Sequence, residues 1–356
     1  MPPTPRARDL GLPFPGEPGR WNAITDVPGV SVGFRTLTDP ARKMRTGVTA
    51  IRPRDDAGTP IPVRAGQFTL NGNGEMTGTH WIEDSGQFIG PICITNTHGI
   101  GAVHHGVTRW MIRHYADWFK TRHAWAMPVV AETYDGILND ITALHVTPED
   151  AEAALDTATS GPVAEGSVGG GNGMIAYEFK AGTGTASRRV RVAGMEFTVG
   201  ALVQANHGRR PWLRVLGVPV GERLTEGMFA TKEQGSIIVI LATDAPLSAL
   251  SLRHLARRAA LGIGRGGTPG GQSSGDIFLA FSTAPPDARP DPASPLLERK
   301  EWDAEAVDPF YLAGVEAVEE AVINAIVAGE DTVAVKPEGL VVKGIDRAAL
   351  SALFRA

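Results

Sequence analysis

The 356-residue chain carries a single cysteine, Cys93, which excludes an intrachain disulfide and a cysteine-rich zinc site. Cys93 lies in the apolar run Pro91-Ile-Cys-Ile-Thr95, where the expected role is a small buried strand residue rather than a nucleophile. No run approaches the ~18 apolar residues of a membrane-crossing helix. The N-terminus has no apolar core of signal-peptide length, so a cytoplasmic setting and no membrane partner are expected. Basic clusters are also missing: 34 Lys and Arg face 39 Asp and Glu, for a net charge of -5, which gives a nucleic-acid partner no electrostatic support. The nine histidines show no metal-ligand spacing, so no metal is expected. None of them lies after His254.

Glycine is abundant, with 43 residues, and 26 prolines join it in clusters that punctuate turns. Between the clusters, apolar runs of strand length alternate with helical periodicity. Residues 1–20 read as an irregular, proline-rich arm. Val48–Ile51, Ile92–Thr95, Val129–Glu132, Met195–Ala205 and Ile277–Phe281 read as strands. Val107–Phe119 reads as a helix, and Thr147 with Pro148 marks another helix start. Ser236–Ala242 is almost wholly apolar and β-branched, as a strand buried on both faces requires. A helix is expected at about 245–260, a proline-rich surface loop at 284–295, and a helix at 308–328 with Val315, Val318, Val322 and Ile326 on its buried stripe. The alternation argues for α/β layers, and no repeat or shift in composition divides the chain.

Three motifs resemble known sites without their context. Gly262-Ile-Gly264-Arg-Gly266-Gly267 satisfies the dinucleotide fingerprint, but it follows a helix and runs into Thr268-Pro269, so it reads as a glycine-rich turn. Gly271-Gln-Ser-Ser-Gly275 satisfies the nucleophile-elbow pattern, but it precedes a strand and no histidine follows it. A serine hydrolase with an upstream base stays open on this reading, with His207 as the nearest candidate. His104-His105 lacks the spacing that would put two imidazoles on one face.

Thr231-Lys-Glu-Gln-Gly235-Ser236 is a mostly polar stretch that ends at the mouth of the most apolar strand. The serine either simply opens that strand or carries chemistry. A serine hydroxyl needs a base. If the bond before Ser236 is broken, the freed α-amine, with a pKa of about 7.7–8, can accept the hydroxyl proton without a histidine. Glycine at 235 would let the backbone distort toward the attacking hydroxyl.

The sequence Gly235-Ser-Ile-Ile-Val-Ile-Leu-Ala-Thr-Asp-Ala-Pro-Leu247 resembles the L-aminopeptidase/D-esterase/amidase and β-peptidyl aminopeptidase family. The resemblance continues in Arg257-Arg-Ala-Ala-Leu-Gly-Ile-Gly-Arg265 and Thr268-Pro-Gly-Gly-Gln-Ser-Ser-Gly-Asp276. Upstream it includes Ile24-Thr-Asp-Val-Pro-Gly-Val30, Asn71-Gly-Asn-Gly-Glu-Met-Thr-Gly78, Glu132-Thr-Tyr-Asp-Gly136, Gly169-Gly-Gly-Asn-Gly-Met174 and Gln204-Ala-Asn-His-Gly208. It implies one αββα four-layer sandwich over residues 1–356, Ntn-hydrolase-like with different connectivity. It also implies self-cleavage into an α chain 1–235 and a β chain 236–356, tetramers of αβ units, and no cofactor. The implied activity is release of N-terminal residues from short peptides, amides or esters. By the same resemblance Ser236 is the nucleophile, Ser274 and Asp276 support it, and Asn206 forms the oxyanion hole. Tyr134 is an active-site tyrosine, and Glu132 receives the substrate amine. Aminoacyl transfer on the same nucleophile and an uncleaved, non-catalytic amine-binding protein are the alternatives.

Overall fold

A computed structural model describes residues 5–233, 235–287 and 294–355. Residues 1–4 of the expected arm and 288–293 of the expected surface loop lie outside them. Two sheets dominate. The first has the order β1 (Ser31–Asp39), β2 (Met44–Arg52), β5 (Ile92–Asn96), β6 (Val129–Thr133). The second has the order β4 (Gln87–Phe88), β3 (Val63–Thr69), β12 (Gly275–Ser282), β11 (Ser236–Thr243), β10 (Met195–Asn206), β9 (Thr183–Val192). A short hairpin, β7 (Ile175–Ala176) and β8 (Phe179–Lys180), lies between β6 and β9 in the chain.

Three apolar layers define the stacking. Ile51, Ile92, Ile94 and Ala131 of the first sheet meet Leu202, Ile238, Ile240 and Leu279 of the second. On its other face the first sheet packs Val48, Cys93 and Val130 against α2 (Ile100–His114) and α4 (Pro148–Asp156). The second packs Val203, Ile237, Val239 and Phe278 against α6 (Ala249–Arg265) and α7 (Asp308–Val327). The order is therefore helix, sheet, sheet, helix, the expected αββα sandwich. Helices α1 (Thr79–Ser85), α3 (Ala116–Thr121) and α5 (Val220–Arg223) are short. Among the described residues no helix is long and apolar enough to cross a membrane.

The expected strands fall inside β2, β5, β6, β10, β11 and β12. Thr147 caps α4 as expected, with the Asp150 carboxylate accepting its backbone N–H at 2.9 Å. The expected helix at 107–119 is instead α2 and α3, broken at Tyr115, whose buried hydroxyl donates to Asp56 at 2.6 Å. Helix α6 starts later than expected, at Ala249, where Ser248 accepts the Ser251 N–H at 3.0 Å. It also runs through Gly262 and Gly264, so the fingerprint-like glycines lie within its last turns. The buried surface of α7 reaches well beyond a single stripe, because Glu319, Glu320 and Asn324 are buried too.

Those polar residues of α7 also anchor the N-terminal arm, whose described residues are irregular as expected. The N-terminal arm is docked, with Ala7, Leu12 and Phe14 in the core. Glu320, fully buried, accepts Arg8 Nε at 2.9 Å, Arg188 at 2.7 Å and Asn22 Nδ2 at 2.5 Å. Burial pushes the Glu320 carboxyl up, but the bond from Arg8 and the charges of Arg188 and Arg8 outweigh it and leave the pKa below its usual 4.5. Such a group stabilises the fold above its unfolded pKa and loses that contribution as pH falls through the folded value. Glu320→Gln leaves Arg188 buried without its carboxylate and is expected to cost about 3–5 kcal/mol at neutral pH. Urea unfolding of the two proteins should show that difference shrinking below pH 4.5.

Candidate active site

Pleat alternation along β11 sends Ile238, Ile240 and Ala242 between the sheets and Ile237, Val239 and Leu241 toward α6 and α7. Ser236 therefore faces the space between the sheets. Along β10, Leu202 faces that space and Val203 and Ala205 face the helices, so Asn206 shares the face of Ser236. The antiparallel register pairs Asn206 with Ser236 directly. On the other flank the parallel register pairs Ser236 with Gly275. Both flanks are continuous ladders, and β11 is buried along its whole length.

The Ser236 hydroxyl donates to the Gly235 carbonyl oxygen at 2.7 Å and accepts the Gly275 N–H at 3.3 Å. The hydroxyl thus lies against the carbonyl group it would attack. A Cβ on Gly235 would lie 2.1 Å from the Asn206 carbonyl oxygen and 2.8 Å from the Cα of His207. Glycine is needed there for close approach to β10.

Asn206 is fixed at both ends of its amide. Oδ1 accepts the Ile175 N–H at 2.9 Å, and Nδ2 donates to the Tyr134 carbonyl oxygen at 2.9 Å. The partners define the amide's orientation, since only the oxygen can meet an N–H. One of the two Nδ2 hydrogens remains for another acceptor. Tyr134 follows β6, so this bond also ties the first sheet to the second. Gln204 reinforces the tie, donating to the Thr95 carbonyl at 2.9 Å and to Thr133 Oγ1 at 2.7 Å.

Ser274 and Asp276 flank Gly275, with Ser274 Oγ donating to Asp276 Oδ1 at 2.6 Å. Asn71 brackets Asp276: its Nδ2 donates to Oδ2 at 3.1 Å and its Oδ1 accepts the Asp276 N–H at 2.7 Å. Burial raises the Asp276 pKa, and the bonds from Ser274 and Asn71 oppose the shift. Phe278 and Ala280 face the helices, so Asp276 shares that face while Ser236 points the other way. The pair stands beside Ser236, with Gly275 between them.

Tyr134, Asn206 and Gly235 line one cavity of about 320 Å³, together with Ile175, Glu178 and Phe229. The Tyr134 side chain is 37% exposed and curls over Gly136, where a Cβ would lie 2.3 Å from its hydroxyl. Glu132 does not line this cavity. It is buried, accepting the Glu75 N–H at 3.0 Å and the Thr97 hydroxyl, and burial raises its pKa. Its Oε1 lies 3.3 Å from where a Cβ on Gly74 would sit, and that position is 3.2 Å from Gly275 Cα. Glu132 is thus separated from the nucleophile's neighbour by one layer of backbone. A larger groove of about 740 Å³ at Phe179, Arg223 and Lys343–Ala348 contains none of the expected residues.

Sequence reasoning missed Asn71, Glu178 and Glu233. Glu178 follows Tyr177, both at positive φ, in the turn between β7 and β8. Its carboxylate accepts the N–H groups of Arg210 at 3.1 Å, Phe229 at 2.5 Å and Ala230 at 2.8 Å. These bonds, with the Tyr177 N–H on the His207 carbonyl at 2.8 Å, hold an otherwise strained turn. Of the three, only Asn71 had a sequence signal, the Asn71–Gly78 motif.

Residues 22–338 match peptidase family S58. The chain belongs to peptidase family S58. It is 47% identical to the β-peptidyl aminopeptidase BapA of Sphingosinicella microcystinivorans over 99% of this chain and 92% of that one. Among solved structures it is similar to the L-aminopeptidase D-Ala-esterase/amidase of Ochrobactrum anthropi, described as a prototype of the serine aminopeptidases and a variant of the Ntn hydrolase fold. That match has a TM-score of 0.93 and 56% identity, covering 99% of this chain and 98% of that one. A β-aminopeptidase of Burkholderia sp. matches with a TM-score of 0.86 and 46% identity over 98% of each chain. The S58 chain is thus an enzyme of the serine aminopeptidase type with an Ntn-variant fold.

Within this S58 chain the His207 alternative fails on environment. The imidazole is buried against Tyr177, with ring centroids 5.1 Å apart. Neither ring nitrogen has a hydrogen-bond partner among the described residues, and burial lowers the pKa to about 3. It faces the helices, opposite to Ser236. The His207 ring is expected to stay neutral throughout pH 5–8 in ¹⁵N NMR; a titration inside that window would restore it as a base.

Proposed function

We propose that the chain is an aminopeptidase, amidase and esterase that acts through Ser236 after cutting itself between Gly235 and Ser236. One observation carries the proposal: the Ser236 hydroxyl rests 2.7 Å from the Gly235 carbonyl oxygen, beside Asn206 and the Gly275 N–H. In the first step Oγ attacks the Gly235 carbonyl carbon and gives up its proton. The bond to the Ser236 nitrogen then breaks, and the nitrogen leaves as an amine. Water hydrolyses the resulting ester, yielding a Gly235 carboxylate and a free Ser236.

The α-amine does not exist before that step, so the first proton needs another acceptor. We assign it to the Asp276–Ser274 pair, which faces away from Ser236 and makes no direct bond to it, so the proton would pass through an intervening water. After scission the α-amine accepts the hydroxyl proton in each turnover. Oγ then attacks the carbonyl of the substrate's first residue, the leaving amine or alcohol takes the proton, and water releases the acyl group. The spare Nδ2 hydrogen of Asn206 is proposed to meet the developing oxyanion. Tyr134 would form the cavity wall beside the acyl group. Glu132, behind the Gly74 backbone from Gly275, would act on the substrate ammonium by its charge across that layer, which favours free N-termini.

The substrates on this reading are short peptides, amides and esters, as the relatives' names indicate for those proteins. The cut would leave fragments 1–235 and 236–356 within one αββα domain. Assembly into tetramers of such units is part of the same reading, with exposed Leu250, Leu261 and Leu312 on α6 and α7 as apolar surface to cover.

Denaturing gels and intact-mass measurement are expected to show two fragments that meet at Gly235 and Ser236. Ser236→Ala should stay one chain and hydrolyse nothing. An uncut wild type with full peptidase activity would sink the proposal. In the cut enzyme, Asn206→Ala is expected to lower kcat about 10²–10³-fold with a smaller change in KM. An unchanged kcat would remove Asn206 from the oxyanion hole.

A further inference from the structure

Glu233 lies three residues before Ser236. Its Oε1 accepts the Gly208 N–H at 2.8 Å. Gly208 closes the turn that begins at Asn206. The Oε2 of Glu233 is buried on the other side without a hydrogen-bond partner among the described residues, packed where a Cβ on Gly271 would lie 1.9 Å from it. Gly271 opens the turn that carries Ser274, its carbonyl accepting the Ser274 N–H at 2.9 Å. One carboxylate therefore spans the two turns that flank the nucleophile.

The stretch it belongs to has little else to hold it. Upstream, Glu178 anchors the backbone N–H groups of Phe229 and Ala230. Downstream, the β11 ladder begins at Ser236. Among the described residues of 231–235, the bonds of the Glu233 side chain and of Ser236 to the Gly235 carbonyl are the hydrogen bonds outside the ladder. Thr231 and Lys232 are exposed. A scissile carbonyl in such a segment would sample many positions, and reaction between two groups falls steeply when one is displaced by about 1 Å.

We propose that Glu233 is a positioning residue for self-cleavage, stapling the chain before Gly235 across the Gly208 and Gly271 turns so that the Gly235 carbonyl stays against Ser236 Oγ. The proposal rests on the scission reading above. Glu233 takes no proton and forms no bond to a reacting atom in this role. Gly271 has its own part, since the absence of a side chain leaves the face on which Oε2 lies.

The test is the rate of scission of freshly synthesised full-length chain, followed by intact mass. Glu233→Ala is expected to slow scission about ten-fold or more. Glu233→Gln keeps an acceptor for the Gly208 N–H and should recover most of the rate, short of wild type by the strength a charged acceptor adds. Gly271→Ala displaces the carboxylate, so it should slow scission in the wild-type background and add nothing in the Glu233→Ala background. Scission of Glu233→Ala at the wild-type rate, or effects of Gly271→Ala and Glu233→Ala that multiply, would overturn the assignment. Unfolding of each variant in a Ser236→Ala chain separates positioning from misfolding: a lost cooperative transition there overturns it as well. A wild type that never cuts defeats the scission reading itself, whereas a wild type that cuts no faster than Glu233→Ala defeats this inference alone.

Discussion

The register of β11 between β10 and β12 is the constraint on which the site depends. Ser236 meets Asn206 across one ladder and Gly275 across the other. A slip of one residue would turn Ser236 toward the helices and bring Ile237 to face Asn206. Burial on both faces prevents the slip, because it would exchange two sets of side chains already packed in separate cores. The apolar run Ile237–Ala242 is therefore the device that aims the serine as well as a part of the core.

Around that fixed point, polar groups are arranged by bonds between elements distant in the chain. Asn206 joins β10 to the residue after β6 and to the start of β7. Asn71, after β3, holds Asp276 at the start of β12. Asp276, Glu132 and Glu233 are each buried enough for the pKa to rise, yet each accepts a bond that orients it. The result is a set of carboxylates held by burial around Ser236, with a geometry set by amides.

Much of this was legible in the sequence where the signal is local or periodic. The two-sided apolar run found β11, and the Thr147–Asp150 cap found the start of α4. The context of the glycine motifs correctly disqualified a nucleotide loop and a nucleophile elbow. The ordered motifs named a family and, through it, Ser236, Asn206, Ser274 and Tyr134, which the structure brings to adjoining strand ends. What escaped depends on long-range contact. The docking of the arm was hidden because its anchors, Glu320 and Asn324, lie some three hundred residues away. Tyr115 interrupts its helix for a bond to Asp56, which no helical periodicity could reveal. The close approach of Gly235 to β10 was hidden because the strand it presses against is invisible in one dimension.

The strand order of the second sheet carries one more consequence. Its two central strands, β11 and β12, follow Ser236, while the four strands outside them precede Gly235. The Arg8–Glu320 pair and the packing of α7 on β9 cross the same divide. In a severed chain the two pieces are woven through one another: the first sheet lies wholly within 1–235, but neither piece alone holds the second. Folding would then be a one-way event. The intact precursor collapses in a unimolecular process, whereas the pieces, once separated, must find each other in a second-order reaction while exposing the interior faces of both sheets. The working lifetime of such an enzyme is governed by how slowly it opens rather than by an equilibrium it can revisit.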